Sequence, residues 1–277
     1  MVRLHLGGLD IEAHSVGGVE TCFQIPDFDI CLDIGRCPPG AEKRSVLLLT
    51  HAHIDHAAGL PYYVSMRGLM NLVPPRVFCP AHDRDALQAI LDGWTKLQAD
   101  SDRCQLHGVK PGDEVRLPRG HVARPFRSPH RIATVGYTIY SHRKKLKVEL
   151  HGLTGPEIAA RVRQGETVNE VVERPELCFP GDTRIEVVES EPSVTQARIL
   201  LLECTFVGSD VSVEKARRSG HIHLDEIAER ATLFKNEFVV LTHFSRRHAP
   251  ATIRAEVEHR LPADLRERLH LLLHDEG

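Results

Sequence analysis

The sequence predicts a layered α/β (α+β) fold in which helices cover the faces of β-sheets. Three observations predict it. Short β-rich runs alternate with helical patterns along the whole chain, Gly, Pro and Asp punctuate the boundaries, and no repeat, low-complexity tract or long linker divides the 277 residues. One domain over residues 1–277 is therefore expected. In the first half, strands are expected at 19–25, 29–34, 46–50, 76–79 and 122–127. A helical pattern begins near Ala57 and runs toward Met70. A clearer one covers 83–99, where Ala86, Leu87, Ile90, Leu91, Trp94 and Leu97 recur near helical spacing. In the second half, strands are expected at 135–140, 177–180, 198–204 and 237–242, and helices at 156–163, 224–234 and 251–261.

Composition narrows the class of function. Hydrophobic residues at 42% and charged residues at 26% suit a chain that folds around a core, which excludes disorder as its main state. The formal net charge of −3 lacks the global basicity of proteins that coat nucleic acids, so a polyanionic partner must be gripped locally. The N-terminal MVRLHLGGLD has no apolar signal region, and no apolar run approaches the roughly 20 residues that span a bilayer. A cytoplasmic protein with no membrane partner is expected. Seven cysteines, with no CxxC pair, lie mostly in apolar surroundings and read as free core thiols of a reducing compartment. The unusual number is eighteen histidines, against four tyrosines and one tryptophan.

The histidines cluster. His51-Ala52-His53-Ile54-Asp55-His56 follows the apolar run Ser45-Val46-Leu47-Leu48-Leu49-Thr50, so a buried strand delivers four potential metal ligands to the turn at its end. The spacing is not HExxH, which disfavours a helical zinc protease. Nothing in turn chemistry calls for three imidazoles. Four ligands cannot complete two metal shells, and further candidates stand at the ends of other apolar runs: His130 after 122–128, Asp182 in Pro-Gly-Asp-Thr, and His243 after Val239-Val240-Leu241-Thr242.

Over residues 17–247 the arrangement resembles the metallo-β-lactamase superfamily, and within it ribonuclease Z (tRNase Z), short form. The resemblance includes Asp33 in Asp-Ile-Gly-Arg-Cys, the HxHxDH run continuing into Ala58-Gly59-Leu60-Pro61, and His130 followed by Gly136-Tyr137. It continues through Gly181-Asp182-Thr183, Glu203-Cys204-Thr205-Phe206, Gly220-His221-Ile222-His223-Leu224, and Thr242-His243-Phe244-Ser245 with Arg247. HxHxDH with the later His, Asp and His carries the superfamily; HFSxR and GHxHL narrow it toward ribonuclease Z.

The resemblance implies an αββα sandwich with a two-metal site at one edge. One ion would take His51, His53 and His130, the other Asp55, His56 and His243, with Asp182 bridging. Zinc is the expected metal because imidazole dominates the set, with manganese or iron as the carboxylates' alternatives. Two divalent cations outweigh two carboxylates and a shared hydroxide, leaving positive charge for a phosphate. By the same resemblance, Asp55 orients the attacking water or takes its proton. His221 protonates the leaving ribose oxygen, oriented by Glu203, since a carboxylate partner favours imidazolium. Ser245 and Arg247 hold the phosphate, and Asp33 supports the histidine turn from behind. His223 is assigned to a helix N-terminal contact instead. The implied activity is endonucleolytic removal of 3′ trailers from precursor tRNA by a homodimer, one subunit helping to bind the RNA that the other cuts.

The sequence departs from the family pattern in places. His248 stands where a tyrosine usually follows the HFSxR arginine, which alters the contacts expected beside the phosphate. A strongly basic, Gly/Pro-containing arm that would grip tRNA is not evident: residues 83–111 read as an amphipathic helix of mixed charge, and Arg143-Lys144-Lys145-Leu146-Lys147 as a solvated basic face. Two other readings share the ligand set. One is a related hydrolase acting on another phosphodiester or a thioester; the other is a non-enzymatic, metal-stabilised RNA-binding protein.

Overall fold

The computed structural model describes residues 1–98 and 104–274. Two seven-stranded sheets run through it, and in each the spatial order of strands follows the chain. The first holds β1 (Val2–Leu6), β2 (Leu9–Val16), β3 (Glu20–Ile25), β4 (Ile30–Leu32), β5 (Val46–Leu48), β6 (Arg76–Pro80) and β7 (Gln105–Val109). The second holds β8 (Val115–Arg116), β9 (Val122–Arg127), β10 (Val135–Leu146), β11 (Asn169–Phe179), β12 (Ile199–Glu203), β13 (Phe238–Thr242) and β14 (Leu269–Leu271). Both sheets begin antiparallel. They become parallel from β4 onward and from β11 onward.

Alternation along the central strands builds three apolar layers. Leu48 of β5 and Leu201 of β12 point between the sheets, where they pack with Phe23, Tyr137 and Ile199. Their neighbours Leu47 and Leu200 point outward. On the first sheet that outer face is covered by α1 (Ile54–Ala57), α2 (Leu60–Leu69) and α3 (Arg84–Gln98), through Ala57, Leu60, Tyr63, Leu87 and Leu91. In the second half the helices are α4 (Gly155–Arg163), α5 (Val187–Ser190), α6 (Pro192–Gln196), α7 (Val213–Ser219), α8 (Leu224–Glu229), α9 (Pro250–Arg260) and α10 (Ala263–Arg266). Val187, Val194, Ile227, Ile253 and Leu265 place α5, α6, α8, α9 and α10 on the outer face of the second sheet. Strands covered on both faces must be apolar throughout, which is why 46–49 and 199–202 read as unbroken hydrophobic runs. The result is the αββα sandwich. The cysteines are free as expected, with all but Cys104 buried, and no helix among the described residues is long and apolar enough to cross a membrane.

Three features differ from the expectations. The first sheet opens with an N-terminal hairpin, β1–β2, whose turn residues Gly7 and Gly8 both have positive φ. That Gly-Gly pair between alternating runs is a hairpin signal. Second, α3 buries only Leu87 and Leu91; Ile90, Trp94 and Leu97 of the same pattern are exposed, and Ala99 lies outside the described residues. Third, the chain does build a protruding arm. β9 pairs with β10 only as far as Tyr140, and β12 pairs with β11 only at Leu177 and Cys178. Beyond those points Ser141–Leu146 and Asn169–Arg174 run on as a two-stranded ribbon capped by α4, which buries no residue. The basic run at 143–147 lies on this ribbon, so the arm occupies 141–175 and not 83–111.

The sheets are tied together beneath the site-bearing edge. The buried Tyr137 hydroxyl donates to the Leu49 carbonyl oxygen at 2.9 Å, joining β10 to the end of β5. Replacing Tyr137 with Phe leaves that carbonyl without its partner. The expected cost is about 1–2 kcal/mol, read as a lower urea midpoint at unchanged slope.

Candidate active site

Parallel strands that end at one edge of a sheet deliver their following loops to one place. Asp33 follows β4, Thr50 to His56 follow β5, Asp182 follows β11, Glu203 ends β12 and His243 follows β13. The β9–β10 loop adds His130. Three overlapping groups of ligand atoms result: His51, His53, His130 and Asp182 in one, Asp55, His56 and His243 in a second, and Asp182, His221 and His243 in a third. Asp182 stands between the first two. Its Oδ2 lies 3.7 Å from His51 Nε2 and 4.0 Å from His130 Nε2, whereas its Oδ1 lies 3.3 Å from both His56 Nε2 and His243 Nε2. Asp55 Oδ2 is 3.5 Å from His243 Nε2 and 3.7 Å from His56 Nε2. Asp55 also accepts the Gly18 backbone N–H at 2.9 Å.

The outer nitrogen of each ring decides what the inner one can do. His56 Nδ1 donates to Asp33 Oδ2 at 2.7 Å, and His130 Nδ1 donates to the Gly220 carbonyl at 2.7 Å. The Thr50 hydroxyl donates to Asp33, so it accepts from His51 Nδ1 at 2.9 Å. In the same way the Thr205 hydroxyl donates to Glu203 Oε2 and accepts from His243 Nδ1 at 3.0 Å. With Nδ1–H committed outward in all four rings, each Nε2 is the nitrogen left facing inward, where it can ligate a metal ion or, without one, take a proton. His53 presents Nδ1, at 3.0 Å from His51 Nε2 and 3.3 Å from His130 Nε2.

The interior is therefore lined by inward-facing ring nitrogens and carboxylate oxygens, which only a metal ion or a proton can bridge. Buried acceptors of this kind repel one another unless a cation sits among them. The Nε2 atoms of His56 and His243 are buried with no hydrogen-bond partner, as vacant ligands would be. Tetrahedral bonds of about 2.0–2.1 Å to imidazole need ligand edges of roughly 3.3 Å, and the observed separations fall around that length. The residues thus fit metal. Burial pushes His51, His53 and His130 below the ordinary imidazole value, favouring the neutral, ligating form. Burial opposes ionising Asp55, but the neighbouring His243 and His56 imidazoles bring its carboxyl down to about 2.

His221 stands beside this cluster and differs from it. Its Nδ1 is 2.8 Å from Glu203 Oε1, and its side chain keeps 17% of its exposure. Burial disfavours its charge, yet the Glu203 carboxylate outweighs burial and raises the imidazole to about 9. At neutral pH it holds a proton, and its Nε2 has no protein partner among the described residues. Glu203 is itself fixed by the Thr183 N–H and the Thr205 hydroxyl. His223 caps α8, its Nδ1 accepting from the Asp225 N–H, in keeping with the helix contact expected of it.

Ser245 borders the site through a backbone bridge to Gly17, next to the Gly18 that holds Asp55. Arg247 lies over the Phe206 ring at 5.8 Å, and Phe206 meets His221 edge-on. His248 is turned inward, its side chain 4% exposed and its Nδ1 3.9 Å from Asp210. Sequence reasoning missed Thr205, which touches Glu203, His221 and His243 at once. Its place two residues after Glu203, at the end of an apolar strand, was the available signal. Gly220 also shapes the site. Its φ is +87°, and a Cβ there would lie 2.7 Å from His130 Nδ1, so only glycine leaves room for that ring.

Asp182→Ala is expected to lose bound metal and nearly all hydrolysis of bis(p-nitrophenyl) phosphate, and His221→Ala to keep the metal and lose rate. Equal metal loss in both variants, by elemental analysis, would show that His221 is a ligand. Asp33→Asn, which replaces the carboxylate behind His56 with a neutral amide, is expected to weaken metal binding about 10–100-fold.

Residues 34–244 match the family model described as a beta-lactamase superfamily domain. The chain is 36% identical over 271 residues to the tRNase Z TRZ1 of Arabidopsis thaliana, covering 97% of this chain and 96% of that one. It is 37% identical over 249 residues to the chloroplastic tRNase Z TRZ2 of the same plant, covering 89% and 70%. Among solved structures, the metallo-beta-lactamase fold protein YhfI of Bacillus subtilis superposes with a TM-score of 0.61 at 14% identity, covering 95% of this chain and 96% of that one. Human tRNase Z, short form, superposes with a TM-score of 0.57 at 18% identity, covering 86% and 93%. These two share the fold. The extent and identity of the plant matches, together with the histidine–aspartate cluster, place the chain in the tRNase Z family, the metal-dependent endoribonucleases of the metallo-β-lactamase superfamily.

Proposed function

We propose that this protein removes 3′ trailers from precursor tRNA with two metal ions, zinc by preference, held by His51, His53 and His130 on one side and Asp55, His56 and His243 on the other. The observation that carries the reading is the division of the Asp182 carboxylate between the two groups, with protonated His221 beside it. Bound metals supply a nucleophile near neutral pH and positive charge for the phosphate. The chain's own groups do the rest. Asp55 faces the centre as an ionised carboxylate, held by the Gly18 N–H. His221 delivers its proton to the leaving 3′-oxygen, and Glu203 keeps it charged until then. A thiolate leaves without a proton donor, so the Glu203–His221 pair argues against a thioester substrate.

The arm supports an RNA substrate. Lys144, Lys145 and Arg163 on it are exposed, and neither they nor Lys147 have a carboxylate partner among the described residues. Lysines and arginines outnumber acids seven to five over 141–175, and three of the five acids are engaged: Glu157 in the α4 capping box, Glu166 with Arg161, and Glu173 with Arg124. Net basicity is thereby concentrated where a phosphate backbone can meet it, although the whole chain is slightly acidic.

A homodimer belongs to the same proposal. Apolar side chains are exposed on α3 (Ile90, Trp94 and Leu97), on α2 (Tyr62 and Leu69), just after α2 (Met70 and Val73) and at the histidine turn (Ile54), and we read them as one face. Such a face is costly in water and suits a second copy of the chain. The free thiols suit a reducing, cytoplasmic setting.

Incubation with a trailer-bearing precursor tRNA is expected to yield tRNA ending in a 3′-hydroxyl and a trailer with a 5′-phosphate. Intact tRNA beside normal hydrolysis of a small diester would shift the reading to another phosphodiester. Lys144→Ala with Lys145→Ala is expected to raise KM for precursor tRNA several-fold and to flatten the salt dependence of binding by about one unit per lysine. Trp94→Asp is expected to sediment as a folded monomer; an unchanged dimer would place the contact elsewhere.

A further inference from the structure

The arm is joined to the body at its root alone. Among the described residues, no hydrogen bond or ion pair links 144–172 to any residue outside the arm. The ladder at the root is also irregular. The β10–β11 register shifts between Ile139 and Tyr140, and Tyr140 faces Pro175, which has no N–H to give. A bulge bends and twists a ribbon and a proline removes one of its bonds, so backbone pairing by itself leaves the direction of the arm loosely fixed.

Side chains fix it from both margins. On one margin Arg124 of β9 lies over the Tyr140 ring at 4.5 Å, and Tyr140 is the last β10 residue paired with both β9 and β11. Arg124 Nη1 and Nη2 donate to the two carboxylate oxygens of Glu173 on the ribbon at 2.7 and 2.8 Å. Its Nε and Nη2 donate to Glu114 of the body at 2.8 and 2.6 Å. Beside it, His142 Nδ1 reaches the Gly120 carbonyl at 3.2 Å. On the other margin Arg174 of the ribbon donates to Glu237, just ahead of β13, at 2.5 Å, and the Ser141 hydroxyl donates to Glu176, which buried Arg198 holds. A lone exposed ion pair contributes little. A planar fork that holds one carboxylate by two bonds, a second carboxylate and a ring face at once is different, because each contact restricts the geometry of the others. At about 3.3 Å per residue the ribbon 141–146 extends roughly 20 Å, so a tilt of about 10° at its root carries its tip about 3–4 Å, enough to part a cation from a phosphate.

We propose that Arg124 is a positioning residue for precursor tRNA: by gripping Glu114 and Glu173 across Tyr140, it sets the angle at which the arm presents Lys144, Lys145 and Arg163 to the RNA. The proposal rests on the tRNA-processing reading and deepens it. It makes recognition depend on a residue that acts through the arm and not by touching the RNA.

Glu173→Gln separates positioning from contact, because the two predict opposite signs. Were Arg124 an RNA contact, freeing it from Glu173 and removing a negative charge would tighten binding. As a clamp, it loosens the arm when Glu173 is changed, and KM for precursor tRNA is expected to rise about fivefold with kcat unchanged. Arg124→Ala is expected to do the same, and Arg124→Lys, which keeps the charge without the fork, to rescue little of the loss. Combined with Lys144→Ala and Lys145→Ala, which leave the arm little grip to misplace, the effect of Arg124→Ala is expected to shrink to about twofold or less. A second measurement needs no RNA. Spin labels at Ala159→Cys on α4 and Ala263→Cys on α10, both exposed, in a Cys104→Ser background, are expected to give a broader distance distribution with Arg124→Ala and with Glu173→Gln. An unchanged or lower KM in Glu173→Gln, or label distances as narrow in the variants as in the unaltered chain, overturns the clamp and leaves the nuclease reading standing. Failure of the unaltered protein to cut precursor tRNA overturns that reading, while the label distances still decide whether Arg124 fixes the arm.

Discussion

The site depends on the Asp182 carboxylate being ionised where water cannot reach it. It is 2% exposed, and taking a carboxylate out of water costs several kcal/mol unless cations replace its hydration. The surrounding imidazoles of His56 and His243 hold its acidity well below the usual carboxylate range, against the opposing effect of burial. With metal absent, that positive charge must come from protons. His56 accordingly lies well above the ordinary imidazole value, burial being outweighed by Asp182 and Asp33. Metal ions do the same task without protonating a ligand, so binding them releases protons. The one carboxylate that faces both histidine groups is thus what makes a two-metal reading chemically coherent.

Every inward Nε2 is aimed by an outward hydrogen bond, and those bonds come from across the molecule. Asp33 follows β4 of the first sheet and restrains both Thr50 and His56. Gly220, before α8, restrains His130, and Thr205, beyond β12, restrains His243. The centre therefore straddles the edge where the two sheets meet, and its geometry depends on how they pack. Some of the backbone there is held in uncommon conformations. Asp33 has φ +53° and His243 φ +59°, each a non-glycine residue in the left-handed region, at a cost of order 1–3 kcal/mol. Asp33 offsets its share through three hydrogen-bonding partners; His243 is held by its bond to Thr205 and by its place against Gly17.

Two histidines a few ångströms apart are kept in opposite protonation states. His130 and His221 have ring centroids 5.2 Å apart. The first points its N–H at a neutral carbonyl and is buried, so it stays neutral and free to ligate. The second pairs with a buried carboxylate and is half-open to the cleft, so it stays charged and able to give up a proton. The difference between ligand and acid lies in the partner of Nδ1, and a single Glu203 makes it.

Much of this was legible in the linear chain. The HxHxDH turn after an apolar strand, and His130, Asp182 and His243 after others, named all seven residues that the structure brings together, because strand ends in a layered fold converge on one edge whatever the loop lengths between them. The doubly buried strands were visible for a similar reason: a strand covered on both faces has no polar face to confuse its period. What stayed hidden depended on distance through space. Thr205 looks like any hydroxyl residue until Glu203, His221 and His243 are seen to share it. The 141–175 arm was hidden because its ribbon is exposed on both faces, leaving no apolar alternation to mark a strand. Trp94 and Ile90 keep the helical period and yet are exposed, since periodicity reports that a helix has an apolar side but not what covers it. That, like the tautomer of each histidine, is settled only by which surfaces and donors the folded chain brings within reach.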